Sequence, residues 1–305
     1  MRPMPEDKHR SGFVSILGRP NAGKSTLLNA LVGQKVAIVS NKPQTTRTAI
    51  QGVVTLDHAQ VIFIDTPGIH KTDSLMNKRM MEDVRTALED RDVLLFVHDA
   101  SHGFGEADEQ AIALLKRVDT PAIAVLNKAD LLSDKVLMLP RIEKLQKLHE
   151  FAAFVPISAS RADGLDALLA EIVKHLPEGP QYFPADHVTD QPERFLAAEL
   201  IREQALRKTR QEVPHSVAVL IEGWEEEPKI TRIAATIYVE RTGQKAILIG
   251  AKGAMLKEIG TEARQEIESM LGQKVFLKLF VKVKENWRED PQFLAESDWR
   301  SLTGE

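Results

Sequence analysis

Short apolar runs alternate with amphipathic stretches along the first part of the chain. Nearly continuous apolar runs are typical of strands that are buried on both faces of a parallel sheet. Five such runs are present: Phe13–Leu17, Gln60–Ile64, Val93–His98, Ala122–Leu126 and Phe154–Ile157. Residues Thr48–Leu56 alternate between polar and apolar side chains instead, and we expect them to pair antiparallel with Val61–Ile64.

Apolar residues at helical spacing separate these runs. In Gly164–Leu176 they fall on one helical face: Leu165, Leu168, Leu169, Ile172 and Leu176. Further helices are predicted between the strands, near Thr26–Leu31, Ser74–Leu88, Glu106–Val118 and Asp134–His149. The regular alternation of strands and helices predicts a doubly wound α/β domain.

The rhythm ends at Leu176, where a proline-rich segment indicates a semi-rigid linker. Beyond the linker we predict a helix, two strands, a strand-like apolar run, a glycine loop, a helix and a strand. Apart from the glycine loop, their ranges are, in order, Glu193–Lys208, His215–Glu222, Ile230–Glu240, Ala246–Ile249, Ala254–Leu271 and Lys274–Lys284. The acidic run Glu225–Glu227 is interpreted as a solvated turn. This pattern predicts a separate, smaller α+β domain.

These boundaries divide the chain into a flexible tail (1–11), a nucleotide-binding domain (12–177), a linker (178–192), a second domain (193–290) and a C-terminal tail (291–305). Of the 305 residues, 43% are hydrophobic, which is enough for two cores, and the net charge of −4 gives no overall nucleic-acid signature. The chain has no cysteine, which excludes disulfides and thiolate metal sites. With no signal-like N-terminus and no apolar stretch near the ~18 residues of a membrane span, we expect a soluble cytoplasmic protein.

The segment after the first apolar run fits the phosphate-loop pattern. It reads Gly18, Arg19, Pro20, Asn21, Ala22, Gly23, Lys24 and Ser25. Glycines let backbone N–H groups approach a triphosphate, Lys24 supplies a positive charge and Ser25 offers a hydroxyl to Mg²⁺. The helix that follows directs its positive N-terminus at the anion, so the segment predicts a nucleotide site.

A second motif predicts that the base is guanine. Asn127, Lys128, Ala129 and Asp130 follow the fourth apolar run, at the ligand-binding edge of such a sheet. The Asp130 carboxylate can accept both the N1–H and the amine of guanine, and adenine lacks this donor pair. Asn127 can either tie the loops together or reach the base. The turn Ser158 and Ala159 can support guanine with a backbone N–H.

A third motif follows the second apolar run and reads Asp65, Thr66, Pro67 and Gly68. Asp65 can hold Mg²⁺ through a water, and the Gly68 N–H can bond the γ-phosphate and lose that bond on hydrolysis. Upstream, a threonine hydroxyl in Pro43–Arg47 could complete Mg²⁺ coordination when the triphosphate is bound.

The second domain contains a Gly-x-x-Gly loop, and its four residues are Gly250, Ala251, Lys252 and Gly253. Such a loop can clamp about four nucleotides of backbone, although a plain helix-initiating turn has the same composition. Beyond Pro180 there are 18 Lys and Arg against 21 Asp and Glu. In Lys274–Lys284, however, alternation places lysines and two phenylalanines on one face, which suits stacking on single-stranded bases. The alternatives are an ordinary solvated face and rings covered by the first domain.

Five stretches of the chain, in this order, resemble the G1 to G5 elements of the Era subfamily of GTPases. They are Gly-Arg-Pro-Asn-Ala-Gly-Lys-Ser, Gln-Thr-Thr-Arg, Asp-Thr-Pro-Gly, Asn-Lys-Ala-Asp and Ser-Ala-Ser. The resemblance implies Mg²⁺ ligation by Ser25, by Thr46 and, through water, by Asp65, with Thr45 as the alternative threonine. Ile69 ends the implied phosphate-binding stretch, at the position where Ras-like proteins have a water-orienting glutamine.

The family that this chain resembles shares the apolar residue at this position, so no catalytic residue is assigned. His70 is interpreted as a solvated loop residue. We expect slow turnover, near or below the ~10⁻⁴–10⁻² s⁻¹ of unassisted GTPases. Hydrolysis assisted by a partner or by potassium is left open.

Taken as helix, strand, strand, helix, Gly-x-x-Gly, helix and strand, the second domain's order resembles the type II KH domain, which follows the GTPase domain in the Era family. This implies binding to small-subunit (16S) ribosomal RNA near its 3′ end, a role in 30S subunit assembly, and association with the inner face of the membrane. No DNA partner is expected. One alternative is a GTPase that acts at a membrane or docks on a protein. Another is a P-loop kinase, but the guanine motif argues against it.

Overall fold

The computed structural model describes residues 9–42, 44–69, 73–209, 213 and 216–300. The described residues form two compact units. Residues 9–37, 46–69 and 80–190 make up the first unit, and residues 38–42, 44–45, 73–79 and those from 191 onward make up the second. The sequence did not predict that 38–42, 44–45 and 73–79 would cluster with the second unit.

The strands of the first unit lie in the order β2-β3-β1-β4-β5-β6. Their bounds are β1 Arg10–Leu17, β2 Ile50–Leu56, β3 Ala59–Asp65, β4 Val93–Asp99, β5 Ala122–Asn127 and β6 Ala153–Pro156. Only β2 runs antiparallel within the described sheet, paired with β3 as its alternating pattern predicted. The carboxyl ends of the parallel strands therefore meet at one edge, where the nucleotide motifs lie.

Helices cover both faces of this sheet. They are α1 Lys24–Val32, α2 Leu75–Thr86, α3 Glu106–Leu115, α4 Leu139–Leu148 and α5 Leu165–His175. In β4, Leu95 belongs to the core with Leu27 of α1 and Leu168 of α5, whereas Phe96 belongs to the opposite core with Val84. Burial on both faces explains why the strand sequences are continuously apolar.

Two boundaries in the first unit differ from the prediction. β1 begins at Arg10, so residues 10 and 11 belong to the sheet and not to a tail. The helix predicted over Asp134–His149 begins as a 3₁₀ turn, and α4 starts beside Pro140, which is suited to a first helical turn. The proline-rich segment is held to the sheet, because the Val53 N–H donates to the Val188 carbonyl at 2.8 Å.

The second unit has the order helix, strand, strand, helix, turn, helix, strand, and this confirms the predicted KH-type α+β fold. Its elements are α6 Glu193–Lys208, β7 Ala218–Glu227, β8 Ile230–Val239, α7 Thr242–Ile249, α8 Ala254–Leu271, β9 Lys274–Val283 and α9 Pro291–Glu296. β7 and β8 are antiparallel, and β8 and β9 are parallel. Ile201 of α6, Ile259 of α8 and Ile237 of β8 form part of its core.

Three predictions for this unit were wrong. Ala246–Ile249 is the end of α7 and not a strand. The prediction failed because a short apolar run in a sequence fits a buried helix as well as a strand. Glu225–Glu227 continues β7, and the turn falls at residues 228–229. The predicted tail from 291 begins with α9, whose Phe293 and Leu294 are buried. The predicted strand start at His215 lies outside the described residues.

Candidate nucleotide site and nucleic-acid interface

The phosphate-loop segment connects β1 to α1, and its glycines are required by close packing. A Cβ on Gly18 would lie 2.4 Å from the Val97 carbonyl oxygen, and a Cβ on Gly23 would lie 2.3 Å from the Asn127 side-chain nitrogen. Both glycines also have positive φ values, +152° and +96°. The loop therefore packs closely against β4 and against the guanine motif. The sequence did not reveal this reason for the two glycines.

Lys24 lies beneath the loop with only 6% of its surface exposed. Its ammonium donates to the carbonyl oxygens of Gly18 at 3.2 Å and Arg19 at 3.4 Å. Burial lowers the pKa of Lys24, and the nearby Asp65 carboxylate partly opposes that shift. An anion at the loop would stabilise the charged ammonium that burial disfavours.

Ser25, Thr46 and Asp65 form a cluster of oxygens beside the loop. The Ser25 hydroxyl lies 2.8 Å from the Thr46 hydroxyl and donates to Asp65 Oδ2 at 2.6 Å. Thr46 donates to the same oxygen at 3.4 Å. The neighbouring Thr45 hydroxyl donates instead to the Lys42 carbonyl at 2.6 Å, so Thr46 is the threonine that the structure brings to this cluster.

The Asp65 carboxylate is fully buried, and burial raises its pKa to about 6 against the opposing effects of Lys24, Ser25 and Thr46. Its Oδ1 atom is buried without a hydrogen-bond partner among the described residues. An unsatisfied carboxylate oxygen beside two hydroxyls fits Mg²⁺, which takes oxygen ligands and keeps several waters. Among the described residues, no group of three or more His, Cys, Asp or Glu side chains is placed to hold a metal ion.

The segment Thr66, Pro67, Gly68 and Ile69 continues from Asp65 past the phosphate loop. Thr66 donates its hydroxyl to the Ile16 carbonyl at 2.8 Å, which anchors the segment to β1. A Cβ on Gly68 would lie 2.9 Å from Pro20 Cγ, so the two loops are in close contact. Ile69 is 7% exposed and belongs to a hydrophobic core cluster, and His70 lies outside the described residues.

Asn127 ties the loops of the site together. Its amide donates to the Ala22 carbonyl at 2.9 Å, and its oxygen accepts the N–H groups of Lys128 at 2.8 Å and Ala159 at 3.0 Å. The first of the two predicted roles of Asn127 is therefore observed. The Ser158 N–H donates to the Asp163 carbonyl. The backbone N–H groups of Ser158 and Ala159, the two candidates for supporting guanine, therefore both donate to acceptors within the protein.

The other three residues of the guanine motif follow the end of β5 and make different contacts. Ala129 donates its N–H to the Ile157 carbonyl at 3.0 Å. Asp130 is 11% exposed, and Arg161 Nε lies 3.2 Å from its carboxylate. Lys128 has a φ of +62°, and its ammonium donates to the Asn21 carbonyl at 2.8 Å. The Asp130 carboxylate is therefore largely buried and pairs with Arg161.

Asp99 is a site residue that the sequence reasoning missed. It ends β4, is 2% exposed, and lies 2.7 Å from the Lys128 ammonium and 3.3 Å from the Arg19 guanidinium. Burial alone would raise its pKa, but hydrogen bonds from Lys128 and Ser101 lower the pKa to about 2. Asp65 and Asn127 also end buried strands, so a polar residue at the end of β4 was a signal that could have identified Asp99.

The Gly-x-x-Gly segment lies between α7 and α8. Gly250 has a φ of +70°, and a Cβ there would lie 2.7 Å from the Met255 side chain, so glycine is required. Ala251 and Lys252 are exposed at the tip, and Gly253 starts α8 with a φ of +80°. A groove leads from this turn along α8 and β9, and its lining residues are Gly253, Leu256, Lys257, Gly260, Thr261, Arg264, Leu277 and Leu279.

Comparison with known proteins identifies both units. The family described as 50S ribosome-binding GTPase matches residues 13–128, and the family described as KH domain matches residues 212–288. GTPase Era of Lactobacillus delbrueckii subsp. bulgaricus is 50% identical over 288 residues, 94% of this chain and 95% of that protein. GTPase Era of Geobacter metallireducens is 50% identical over 295 residues, 96% and 99% of the two chains.

Solved structures agree over both units. Era in complex with MgGDPNP and nucleotides 1506–1542 of 16S ribosomal RNA has a TM-score of 0.92 and 43% identity, covering 95% of this chain and 99% of that one. A variant of Aquifex aeolicus Era bound to GDP and AlF₄⁻ has a TM-score of 0.91 and 44% identity over the same shares. None of the helices in the described residues is long and apolar enough to cross a membrane. With 50% identity to the GTPase Era proteins of Lactobacillus delbrueckii subsp. bulgaricus and Geobacter metallireducens over nearly their full length, the chain belongs to the Era family of GTPases.

Proposed function

We propose that this GTPase is a switch that binds small-subunit (16S) ribosomal RNA near its 3′ end and acts in assembly of the 30S subunit. The observation that carries the proposal is the exposed turn at Ala251 and Lys252, which opens onto the groove between α8 and β9. The crystal structure of a 43% identical Era holds nucleotides 1506–1542 of 16S ribosomal RNA, which supports RNA as the partner.

In this proposal Ser25 and Thr46 hold Mg²⁺ directly and Asp65 holds it through a water. When bound, Mg²⁺ neutralises charge on the β- and γ-phosphates. Lys24 adds a second positive charge beneath the phosphate loop. Thr46 and the Gly68 N–H respond to the γ-phosphate, and loss of that phosphate releases both.

The proposal includes slow hydrolysis in the absence of any assistance. Ile69 is apolar and belongs to a core cluster, so its side chain does not orient the attacking water. We propose that hydrolysis is accelerated from outside this position, with a partner and a potassium ion as the two candidate sources. The rate measured with potassium and with sodium, each with and without RNA, separates these two sources.

The RNA proposal is tested by replacing Ala251 and Lys252 together with aspartate. The turn should persist, but two negative charges would face the phosphates, so affinity for single-stranded RNA should fall sharply and its salt dependence should flatten. GTP affinity should be unchanged, and circular dichroism should confirm the fold. Parental RNA binding by the folded variant would contradict the proposal.

The second candidate is a GTPase that acts at the membrane or on a protein through its second domain. We propose a cytoplasmic location for either candidate, with association at the inner face of the membrane for the second. Crosslinking of RNA to residues 250–253 in cells, compared between GTP and GDP states, separates the candidates. Recovery of the protein with inner-membrane vesicles, and not with RNA, would favour the second.

A further inference from the structure

The outer face of the KH-type sheet carries aromatic and basic side chains on its edge strand. β9 has β8 on one side and no strand on the other within the described sheet. Phe276 and Phe280 are 51% and 40% exposed, and Lys278 lies between them on the same face. We propose that this aromatic face, defined as Phe276, Lys278 and Phe280, binds single-stranded RNA that continues from the Gly-x-x-Gly groove.

The first reason is the position of β9 between two surfaces. Leu277 and Leu279 line the groove on one side of the strand, while the aromatic face lies on the other side. α8 packs closely here, since a Cβ on Gly260 would lie 3.2 Å from Leu279. An RNA strand that leaves the groove over this edge reaches the aromatic face, because only the thickness of one strand separates the two surfaces.

The second reason is that edge protection explains the lysines but not the rings. Lysines are common on edge strands because they prevent association with another strand. Exposed phenylalanines on the same strand have the opposite effect, since they add apolar surface to an edge. Two rings that are each about half exposed therefore indicate a ligand with flat apolar faces, and a nucleic-acid base has such faces.

The third reason is the placement of positive charge. Lys274 pairs with Glu268 at 3.6 Å and Lys282 pairs with Glu222 at 3.0 Å. Lys278, between the rings, makes no ion pair within the part of the chain that the structure describes. Among the described lysines of β9, Lys278 is therefore the one without an acidic partner, and it lies between the two stacking positions.

Cations also approach both rings. Lys278 Nζ lies 5.0 Å from the centroid of Phe280, and the Arg232 guanidinium lies 5.6 Å from the centroid of Phe276. A cation at one side of a ring leaves the other side for a base and attracts the phosphate beside that base. Four residues of strand separate the rings by about 13 Å, whereas stacked bases are about 3.4 Å apart. The two rings would therefore take bases that are not nearest neighbours.

This inference rests on the proposed RNA-binding function and extends it to a second surface. The test compares two unstructured RNAs made of adenine and cytosine, one of about four nucleotides, which fills a KH groove, and one of about twelve. The variants are Phe276→Leu, Phe280→Leu and the double variant, which keep apolar side chains but lose the rings. Tyr182→Leu is the matched control, because Tyr182 is an aromatic residue with 51% exposure outside this face.

We expect each leucine variant to bind the longer RNA about five-fold or more weakly, because base–aromatic stacking has roughly that effect. Binding of the short RNA should be unchanged. Lys278→Gln should reduce the salt slope for the longer RNA by about 0.7, which corresponds to one phosphate contact on a single strand. Phe280→Trp should retain binding, and its fluorescence should be quenched by the longer RNA but not by the short one.

Two results separate this inference from the proposed function. If the double leucine variant binds the longer RNA as the parent does, the aromatic face is not an RNA surface, whatever the loop variant shows. If the aspartate variant at Ala251 and Lys252 binds both RNAs normally while the leucine variants lose the longer one, the groove assignment fails and the aromatic face stands. Loss of the longer RNA in Tyr182→Leu would also overturn the inference, since the effect would not be specific to this face.

Discussion

The Lys128 ammonium donates a hydrogen bond to the Asp99 carboxylate at 2.7 Å and, from the same nitrogen, to the Asn21 carbonyl at 2.8 Å. Asp99 ends β4, Asn21 belongs to the phosphate loop and Lys128 belongs to the guanine motif. One buried carboxylate therefore fixes the distance between the segments assigned to phosphate and to base. Arg19 adds a second cation, 3.3 Å from the same carboxylate.

The ionisation of Asp99 should contribute to stability in a defined pH range. Its pKa is lowered from 3.8 to about 2, so the folded state stays ionised where the unfolded state is already protonated. The contribution, on the order of 2 kcal/mol, is present above pH 3.8 and is lost as the pH falls towards 2. Urea unfolding of the parent and of Asp99→Asn should show a difference at pH 5 that shrinks at pH 3. A constant difference would contradict this assignment.

Asp130 should determine base choice. Asp130→Asn replaces one acceptor oxygen by a donor, so affinity should shift from guanine towards xanthine nucleotides. The measurement is binding of GTP and XTP to the parent and the variant. Arg161→Gln is the control, because Arg161 contacts the same carboxylate at 3.2 Å but is not assigned to the base. Unchanged GTP affinity without any gain in XTP binding would rule out Asp130 as the residue that reads guanine.

The sequence predicted the parallel sheet, the antiparallel β2 and the KH-type order, because these depend on local periodicity and on motifs. It did not predict Asp99, whose role depends on residues from two other loops. It also placed Ala246–Ile249 in a strand, since four apolar residues fit either element. Residues 38–42 and 44–45 cluster with the second unit. There the Val39 N–H donates to Glu203 of α6 and the Thr45 carbonyl accepts from Arg202 of α6, contacts that no local sequence pattern encodes.

Ile69→Gln should not produce fast hydrolysis. The side chain at this position is 7% exposed and packs in a core cluster, so glutamine would bury an amide without a defined partner. We expect a loss of roughly 1–3 kcal/mol in the free energy of unfolding and little gain in turnover. Ile69→Val is the control for packing, with a cost of about 1 kcal/mol. A large increase in the GTP hydrolysis rate of the glutamine variant would show that the missing side chain alone limits the reaction.

Arg202 of α6 holds the backbone immediately before Thr46. Its side chain is 2% exposed, and its guanidinium donates to the carbonyl oxygens of Thr45 and, at 3.4 Å, of Gln44. The Glu199 carboxylate accepts from the same guanidinium at 2.6 Å. Because a peptide bond joins Thr45 to Thr46, Arg202 restrains the residue whose hydroxyl contacts Ser25.

We therefore expect Arg202 variants to change the Mg²⁺ requirement of GTP hydrolysis. Arg202→Lys keeps the charge but loses the fork that reaches two carbonyls and a carboxylate, so the Mg²⁺ concentration for half-maximal rate should rise several-fold. Arg202→Met leaves buried partners unpaired, and unfolding in urea should show a loss of about 3 kcal/mol. Lys208→Gln is the matched control, since Lys208 lies on the same helix but pairs with Glu258 and Glu262. If folded Arg202→Lys keeps the parental Mg²⁺ dependence, α6 stabilises the second unit without positioning Thr46.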